Sequence, residues 1–301
     1  MNPIARKNRL RRTMMFISAQ RPGFMKDAYI YKPDSILFDL EDAVAENQKD
    51  AARFSLFRAL RKIDYRGIER IVRINGLDTL HWKEDIRCAV AAGADAIRIA
   101  KCESAKDVAD VDAAIAKAEE EFGQENSHTL MMAALESPQG VLNALEICKA
   151  SPRLFGVAIA GGDFRKSMQT KYYPRGYEML AARSNMLLAA RAAGVQCFDT
   201  VFTDLEDEAG FRAEVQLIME MGFDGKSIIS PKQIQIVHEI FTPSEKEIIE
   251  AEKVVRVIRE NAEKGIGVFA VDGVMLDIAY LPGAERVIAM AKASGNYRGD
   301  L

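Results

Sequence analysis

Eight short apolar runs alternate with longer amphipathic stretches along this chain, and that alternation leaves few possible folds. The apolar runs are rich in residues that suit strands buried on both faces, as strands of a parallel sheet are. The stretches between them repeat apolar residues every three or four positions, which is the spacing of an amphipathic helix. The predicted strands are 13–17, 35–40, 70–74, 96–100, 130–136, 155–160, 195–198 and 226–230. The helical spacing is clearest in Ala52, Leu56, Leu60 and Ile63, in Val108, Val111, Ile115, Ala118 and Phe122, and in Phe211, Val215 and Ile218.

Eight strands that alternate with helices predict an α/β fold, a (β/α)₈ TIM barrel. An open doubly wound sheet is the alternative, because periodicity alone does not distinguish the two. Beyond the eighth strand, residues 243–263 predict a further helix, followed by a Gly-rich stretch and a final helix from about Gly283. We therefore predict a catalytic barrel at residues 1–240 and a C-terminal helical extension at 241–301, which is free to act as a lid or an oligomer arm.

The overall charge does not favour two classes of partner. With a net charge of −3 and a pI of about 5.8, we expect neither nucleic acid nor an anionic membrane surface as the main partner.

The chain shows no sign of membrane insertion or export. No run approaches the roughly 18 apolar residues of a membrane span. The apolar stretch 14–19 is shorter than the roughly 7–15 residues of a signal core. The four cysteines form no CxxC pair, so we expect a reduced, cytoplasmic protein.

Polar residues follow the predicted strands where their C-terminal ends would meet, and in a barrel this rim holds the active site. Several acids together with one arginine suit a hard divalent cation and an anionic substrate. Acid–base chemistry without a metal is the alternative, although so many like charges would then repel one another. The predicted rim residues are Asp39, Glu41, Asp42, Arg73, Asn75, Lys101, Glu136, Asp163, Asp199 and Asp204.

Glu136 and Asp163 are the candidate metal ligands. Glu136 closes an apolar strand and precedes Ser137 and Pro138, a favourable N-cap and first-turn pair. An acid there could simply face a helix dipole, but an ionised group at the end of a buried strand needs stronger compensation. Asp163 follows two glycines, which either let the backbone approach a ligand or make a turn.

Arg73 and Asp42 are the candidate substrate-binding residues, together with Glu136. A guanidinium on an otherwise apolar strand can grip a carboxylate with two parallel hydrogen bonds. An internal ion pair between Arg73 and a rim acid is the alternative. Asp42 belongs to an acidic run that could also mark the start of a helix. A rim lysine such as Lys101 is more often a counter-ion than a Schiff-base nucleophile.

Six long motifs occur in a fixed order between about Arg11 and Ala293, and together they are far more specific than any one of them. The motifs are FDLEDAV (38–44), VRINGLDT (72–79), ALESPQGVLNALEI (134–147), FDTVFTDLEDEAGF (198–211), GFDGKSIISPKQI (222–234) and GVMLD (273–277). They resemble the citrate lyase β subunit and its relatives in the HpcH/HpaI aldolase group, which include malyl- and citramalyl-CoA lyases.

This resemblance implies a magnesium-dependent barrel lyase that cleaves a 3-hydroxyacyl thioester. In such relatives Mg²⁺ is bound by residues that match Glu136 and Asp163, and the oxo-acid carboxylate is bound by the one that matches Arg73. A C-terminal aspartate in the lid matches Asp277, and Asp272 is a close second for its role. Relatives supply this aspartate across a subunit interface in some cases, and they are commonly trimers or multiples of trimers.

The resemblance leads us to expect a reverse Claisen cleavage of a citryl, citramalyl or malyl thioester. The products would be a thioester and a 2-oxo acid such as oxaloacetate, pyruvate or glyoxylate. The acyl group would be carried by coenzyme A or by an acyl carrier protein. Three interpretations stay open: a citrate lyase subunit, a free-standing lyase or thioesterase, and a non-catalytic or regulatory barrel that binds Mg²⁺ and an oxo acid.

Overall fold

A computed structural model describes residues 6–125, 128–271 and 273–301 of the chain. Eight parallel strands form a closed barrel in the order in which they occur, each paired with the next and the last with the first. The strands are β1 (Thr13–Ser18), β2 (Ser35–Asp39), β3 (Glu69–Arg73), β4 (Ala96–Ile99), β5 (Leu130–Leu135), β6 (Leu154–Ile159), β7 (Gln196–Asp199) and β8 (Gly225–Ile228). The predicted barrel is confirmed, and the open sheet is excluded.

Helices follow the strands as the apolar spacing predicts. Those of the barrel region are α1 (Pro22–Lys26), α2 (Lys49–Lys62), α3 (Trp82–Ala92), α4 (Ala105–Glu121), α5 (Pro138–Leu142), α6 (Ala144–Lys149), α7 (Gly161–Ser167), α8 (Tyr177–Ala193), α9 (Glu208–Met221) and α10 (Lys232–Phe241). In α4 the predicted apolar face is buried from Val108 to Ala118. The prediction is wrong for Phe122, which is exposed and ends the helix. No helix in the described ranges is long and apolar enough to cross a bilayer.

The barrel interior is built in layers. An apolar layer takes side chains from strands β1 to β7. Below it, at the N-terminal ends of the strands, Arg11 donates two 2.7 Å hydrogen bonds to Glu69 and lies over the ring of Phe155. This buried ion pair fills the N-terminal end of the barrel interior beneath the apolar layer. The apolar layer comprises Met14, Leu37, Ile71, Ala96, Leu130, Met132, Phe155, Ala158 and Phe198.

The chain divides into two compact units, one ending at His238 and one running from Glu239 to Leu301. In the second unit, α11 (Glu245–Glu263) packs against α12 (Leu281–Ala293) through Ala251, Val255, Ala284 and Ile288. The predicted face of α11 is confirmed, because Ile248, Ala251, Val255 and Ile258 are its buried residues. A capping box of Ser244 and Glu247 starts this helix.

Between these two helices lies an antiparallel hairpin of β9 (Val268–Val271) and β10 (Val274–Asp277). Gly273 directly precedes β10 with φ +81°, a conformation that glycine adopts without a Cβ clash. The Gly-rich stretch is therefore a strand pair. Asp272, the second candidate for proton transfer, lies outside the described residues.

Candidate active site

The alternation of side chains along each strand places the polar residues in one layer. Successive side chains of a strand point to opposite faces of the sheet. Asp39, Arg73 and Arg98 each follow a residue of the apolar layer by two positions, and so they share its inner face. They are also direct neighbours in register, Asp39 beside Arg73 and Arg73 beside Arg98. The sequence thus places an acid and two guanidiniums side by side above the apolar core.

A cavity of about 500 Å³ opens at the C-terminal ends of the strands. The predicted residues Asp42, Arg73, Glu136 and Asp163 all line it. Its remaining lining consists of Phe16, Ser18, Asp39, Ala43, Arg98, Ile159, Ala160, Gly161, Gly162, Thr200, Val201, Ser227 and Ile229. The structure therefore brings together the metal-binding and substrate-binding residues that the sequence predicts in the barrel unit.

Arg73 is held by acids of the barrel itself. Its Nε and Nη2 donate to the two carboxylate oxygens of Asp39, both at 2.7 Å. Its Nη1 lies 2.7 Å from Oε2 of Glu41, as an ion pair without hydrogen-bond alignment. Burial alone would lower the pKa of Arg73, but the charges of Asp39 and Glu41 outweigh burial and raise it. In this arrangement, the two-pronged grip predicted for a substrate is made to Asp39.

Glu136 is buried with only one of its oxygens satisfied. Oε1 accepts a 3.1 Å hydrogen bond from the backbone N–H of Lys101, and Oε2 has no partner. Burial raises the pKa of Glu136 to about 7, against the opposing effects of Arg73 and of the Lys101 hydrogen bond. A buried carboxylate oxygen without a partner is strongly unfavourable. A cation placed beside Oε2 would remove that penalty.

Local backbone geometry supports this placement of Glu136. Lys101 has φ +50°, in the left-handed region that residues with a side chain rarely adopt. This conformation accompanies the hydrogen bond from its N–H to the Glu136 carboxylate. On the other side, Ser137 caps α5 by accepting from the N–H of Gly140, and Pro138 fills the first turn. The predicted helix start after Glu136 is confirmed.

Asp163 lies in the first turn of α7 and also faces the cavity. Within the described residues its carboxylate makes no hydrogen bond or ion pair. Gly161 brings this turn against β7: its N–H donates to Oγ1 of Thr200 at 2.7 Å, and a Cβ there would come within 2.9 Å of that oxygen. The glycine thus permits a close approach of two loops, and Asp163 is left with a free carboxylate at the rim.

Lys101 and Asp42 complete the charged rim. The Lys101 amine lies 2.6 Å from Glu41 and 3.8 Å from Asp42. Its hydrogen bond to Glu41 raises the pKa of Lys101, so the amine stays protonated and is a poor nucleophile. This geometry supports the counter-ion role. Asp42 also lies 3.6 Å from Arg73 Nη1, with its side chain more than half exposed toward the opening.

Five residues of the predicted rim do not line the cavity. Glu41 and Lys101 contact its charged residues, as described above, while Asn75, Asp199 and Asp204 have partners elsewhere. Asp199 follows the inward-facing Phe198, and alternation therefore directs it outward into the layer between sheet and helices. There it pairs with Arg183 and Lys226 at 2.8 Å each. Burial would raise the pKa of Asp199, but these two cations outweigh it and lower that pKa to about 2. Its role is structural.

Asn75 and Asp204 also lie outside the cavity, each with another partner. Asn75 is buried and donates to the carbonyl of Leu40 and to Asp85 of α3, so its amide is used in packing that helix. Asp204 accepts from the N–H of Glu206 in an exposed loop. Neither residue lines the cavity.

Sequence reasoning missed Arg98, although a signal was present. Arg98 interrupts the apolar strand β4 as Arg73 interrupts β3, and it lines the same cavity. Phe16 of β1 was also missed. Its ring centroid is 5.1 Å from Arg73 Cζ and 5.2 Å from Arg98 Cζ, so the ring contacts both guanidiniums. An aromatic face at that distance attracts a cation.

The carboxylates of Glu136 and Asp163 are the oxygen ligands that the cavity could offer a metal ion. Among the described residues, no group of three or more His, Cys, Asp or Glu side chains could enclose an ion. Mg²⁺ is typically held by one or two carboxylates, with water and substrate oxygens completing its shell. The unsatisfied oxygen of Glu136 and the free carboxylate of Asp163, both lining one cavity, fit that requirement.

Asp277 lies in the second unit, at the end of β10. Its carboxylate accepts a 2.8 Å hydrogen bond from the N–H of Ala279 and caps a short 3₁₀ helix, Ile278–Tyr280. On the hairpin it pairs with Val268, and Met275 lies on the same face two positions earlier. The side chains of Val268 and Met275 are exposed, at 58% and 68%.

A closed parallel barrel with carboxylates and guanidiniums at the C-terminal ends of its strands defines a (β/α)₈ barrel enzyme site for an anionic ligand. The chain belongs to the HpcH/HpaI aldolase/citrate lyase family, whose family model matches residues 12–231.

Individual relatives agree with this membership. The citrate lyase subunit beta of Leuconostoc mesenteroides subsp. cremoris is 48% identical over 295 residues, covering 96% of this chain and 98% of its own. A (3S)-malyl-CoA thioesterase of Cereibacter sphaeroides is 36% identical, covering 95% and 96%. The crystal structure of the protein CitE of Mycobacterium tuberculosis in complex with magnesium, acetoacetate and coenzyme A is 28% identical, with a TM-score of 0.74, covering 93% and 98%.

Proposed function

We propose that this protein is a magnesium-dependent carbon–carbon lyase of the citrate lyase β subunit type. It would cleave a 3-hydroxyacyl thioester to a shorter acyl thioester and a 2-oxo acid such as oxaloacetate. One observation supports this most directly: the buried, unpartnered Oε2 of Glu136 lies on the same cavity as the free carboxylate of Asp163. The 48% identical citrate lyase subunit and the magnesium complex of CitE support the same reaction and the same ion.

The charged residues predicted from the sequence have separate tasks in this reaction. Glu136 and Asp163 would hold Mg²⁺, which when bound stabilises negative charge on a substrate oxygen. Arg73 orients a substrate carboxylate, while Asp39 and Glu41 fix its guanidinium. Asp42, exposed at the opening, contacts the substrate from the rim.

Asp277 is our candidate for the proton transfers. The hydroxyl of the substrate loses its proton, the adjacent carbon–carbon bond breaks, and its electron pair passes to the thioester carbon chain as an enolate. A proton is then returned to the enolate carbon. One carboxylate that first accepts and then donates a proton is sufficient for both transfers.

Purified protein should be tested with Mg²⁺ and a panel of citryl, citramalyl and malyl thioesters, on coenzyme A and on an acyl carrier protein. We expect release of a 2-oxo acid, measured by its reduction with an added dehydrogenase. Release of the intact hydroxy acid with free coenzyme A would instead identify a thioesterase, which the 36% identical relative favours as the second candidate. Oxo-acid binding without turnover of any thioester would indicate a non-catalytic or regulatory barrel.

Assembly and location remain proposals from the sequence. We propose a homotrimer or a multiple of trimers, with the second unit as oligomer arm or lid, and a cytoplasmic location. Light scattering during gel filtration measures the assembly directly. A stimulation by acyl carrier protein over coenzyme A would place the chain in a citrate lyase complex.

Arg73→Lys should raise the apparent KM for the thioester by roughly 10- to 100-fold with a smaller change in kcat. Nε and Nη2 of Arg73 stay on Asp39, so the substrate carboxylate would be bound through Nη1, which a lysine lacks. Hydrogen bonds to charged groups contribute about 1.5–3 kcal/mol. Arg70→Lys, at the other end of β3 and outside the cavity, is the matched control. Unchanged kinetics in folded Arg73→Lys protein would mean that Arg73 serves only its ion pairs within the barrel.

A further inference from the structure

Arg98 is a buried charge in the cavity with little compensation. Its side chain is buried, with a relative exposure of 2%. Its one hydrogen bond in the described part of the chain runs from Nη1 to Oγ of Ser227, at a long 3.3 Å, and its Nε has no partner. No ion pair joins Arg98 to any described carboxylate. A buried guanidinium with so few partners is strongly unfavourable unless an anion reaches it.

Its neighbour shows how unusual this is. Arg73 is adjacent to Arg98 in register. Two of its nitrogens donate hydrogen bonds to Asp39, and the third lies 2.7 Å from Glu41 as an ion pair. The burial of Arg98 and the repulsion between the two guanidiniums lower the pKa of Arg98 to about 10, which still leaves it charged near neutral pH. The cavity therefore contains one neutralised arginine and one that is not.

The missing partner can be identified by its chemistry. The group must be anionic, must reach the inner layer of the barrel, and must leave Glu136 and Asp163 free for the ion and its chelating oxygens. A substrate whose oxo-acid part has one carboxylate uses that carboxylate at the ion and Arg73. A second carboxylate on the same fragment is the group that remains for Arg98.

Resting on the function proposed above, we infer that Arg98 selects substrates whose oxo-acid fragment is a dicarboxylate. It does so by binding the carboxylate distal to the 2-oxo group. Among the candidate reactions, this favours release of oxaloacetate, and thus a citryl thioester, over release of pyruvate or glyoxylate. Arg98 is accordingly a specificity-determining residue, distinct in task from Arg73.

Oxaloacetate and pyruvate form a matched pair of probes, because they differ by a single carboxylate. Their dissociation constants should be measured by calorimetry with saturating Mg²⁺ on the whole chain. We expect the unmodified protein to prefer oxaloacetate by roughly 10- to 100-fold, the range for a charge-assisted contact. Arg98→Met, which removes the charge but keeps a long side chain, should lose this preference while its affinity for pyruvate stays within about twofold. Arg70→Met removes one positive charge outside the cavity and should retain the preference.

Two results would overturn the inference while sparing the proposed function: equal affinities in the unmodified protein, or an unchanged preference in folded Arg98→Met. If Arg98→Met does not fold, Arg98→Lys keeps the charge but not the planar donor, and it should show a reduced preference. An unchanged preference in Arg98→Lys, with Arg98→Met unfolded, would assign Arg98 to stability and contradict the inference. Binding of neither oxo acid would count against the proposed function itself, and with it this specificity.

Discussion

Glu136→Gln should abolish Mg²⁺ binding in the presence of an oxo acid and, at pH 8, should make the metal-free protein more stable. The first effect follows because the amide lacks the negative charge that the ion requires. The second follows because the substituted side chain has no charge to desolvate at a site where Oε2 of the glutamate has no partner. A group that lowers stability without its ligand is typical of a binding site and rare in a purely structural role.

The pKa of Glu136 makes the stability of the metal-free protein depend on pH. The ordinary pKa of a glutamate is 4.5, and burial raises that of Glu136 to about 7. Between these values the unfolded chain has released the proton while the folded chain still holds it, so stability falls as pH rises from 4.5 to 7. Above the higher of these two values the loss is complete, on the order of 3 kcal/mol. Glu136→Gln escapes that loss.

Urea unfolding of metal-free protein at pH 5 and pH 8 checks the stability effect, and calorimetric titration with Mg²⁺ checks binding. The advantage of Glu136→Gln should be large at pH 8 and small at pH 5. Asp163→Asn should also lose Mg²⁺ but gain less stability, because its carboxylate is only partly buried. Asp204→Asn neutralises an acid outside the cavity and should change neither property. Full Mg²⁺ affinity in both Glu136→Gln and Asp163→Asn would remove the metal assignment.

The sequence was sufficient to predict the barrel because runs of apolar residues indicate strands that are buried on both faces. A run such as 130–135 is apolar at every position, as a strand covered by core on one face and helices on the other must be. The strand ends also located Glu136 and Asp163, since parallel strands bring their C-terminal ends to one rim.

The sequence-based prediction missed the face of the strand to which some side chains point and the contacts between residues far apart in the chain. Asp199 was placed at the rim by its position at a strand end, yet alternation after the inward Phe198 sends it outward to Arg183. Applying the period of two to every strand would have found this, and it would have found Arg98 by the same rule. The left-handed turn at Lys101 could not be found this way, because it accompanies a contact with a residue 35 positions away.

Asp277→Ala should lower turnover by roughly 10²- to 10⁴-fold, the usual contribution of a general acid or base, and leave Mg²⁺ and oxo-acid binding intact. The structure also gives Asp277 a structural task, since its carboxylate caps the helix Ile278–Tyr280. Asp277→Asn separates the two, because an amide oxygen still accepts that hydrogen bond while the group no longer exchanges a proton. A capping role predicts near-normal turnover in Asp277→Asn, and a proton-transfer role predicts a loss as large as that of Asp277→Ala.

The surroundings of Asp277 bear on which subunit it serves. It shares one hairpin face with Val268 and Met275, whose apolar side chains are exposed at 58% and 68%. Apolar groups on an exposed strand pair are typical of a surface that another chain covers. We therefore expect Asp277 to act on a neighbouring subunit. Mixing inactive Asp277→Ala protein with inactive Glu136→Gln protein should then restore part of the activity, because hybrid oligomers contain some sites with both native residues. No recovery after subunit exchange verified by mass spectrometry would mean that Asp277 serves the barrel of its own chain.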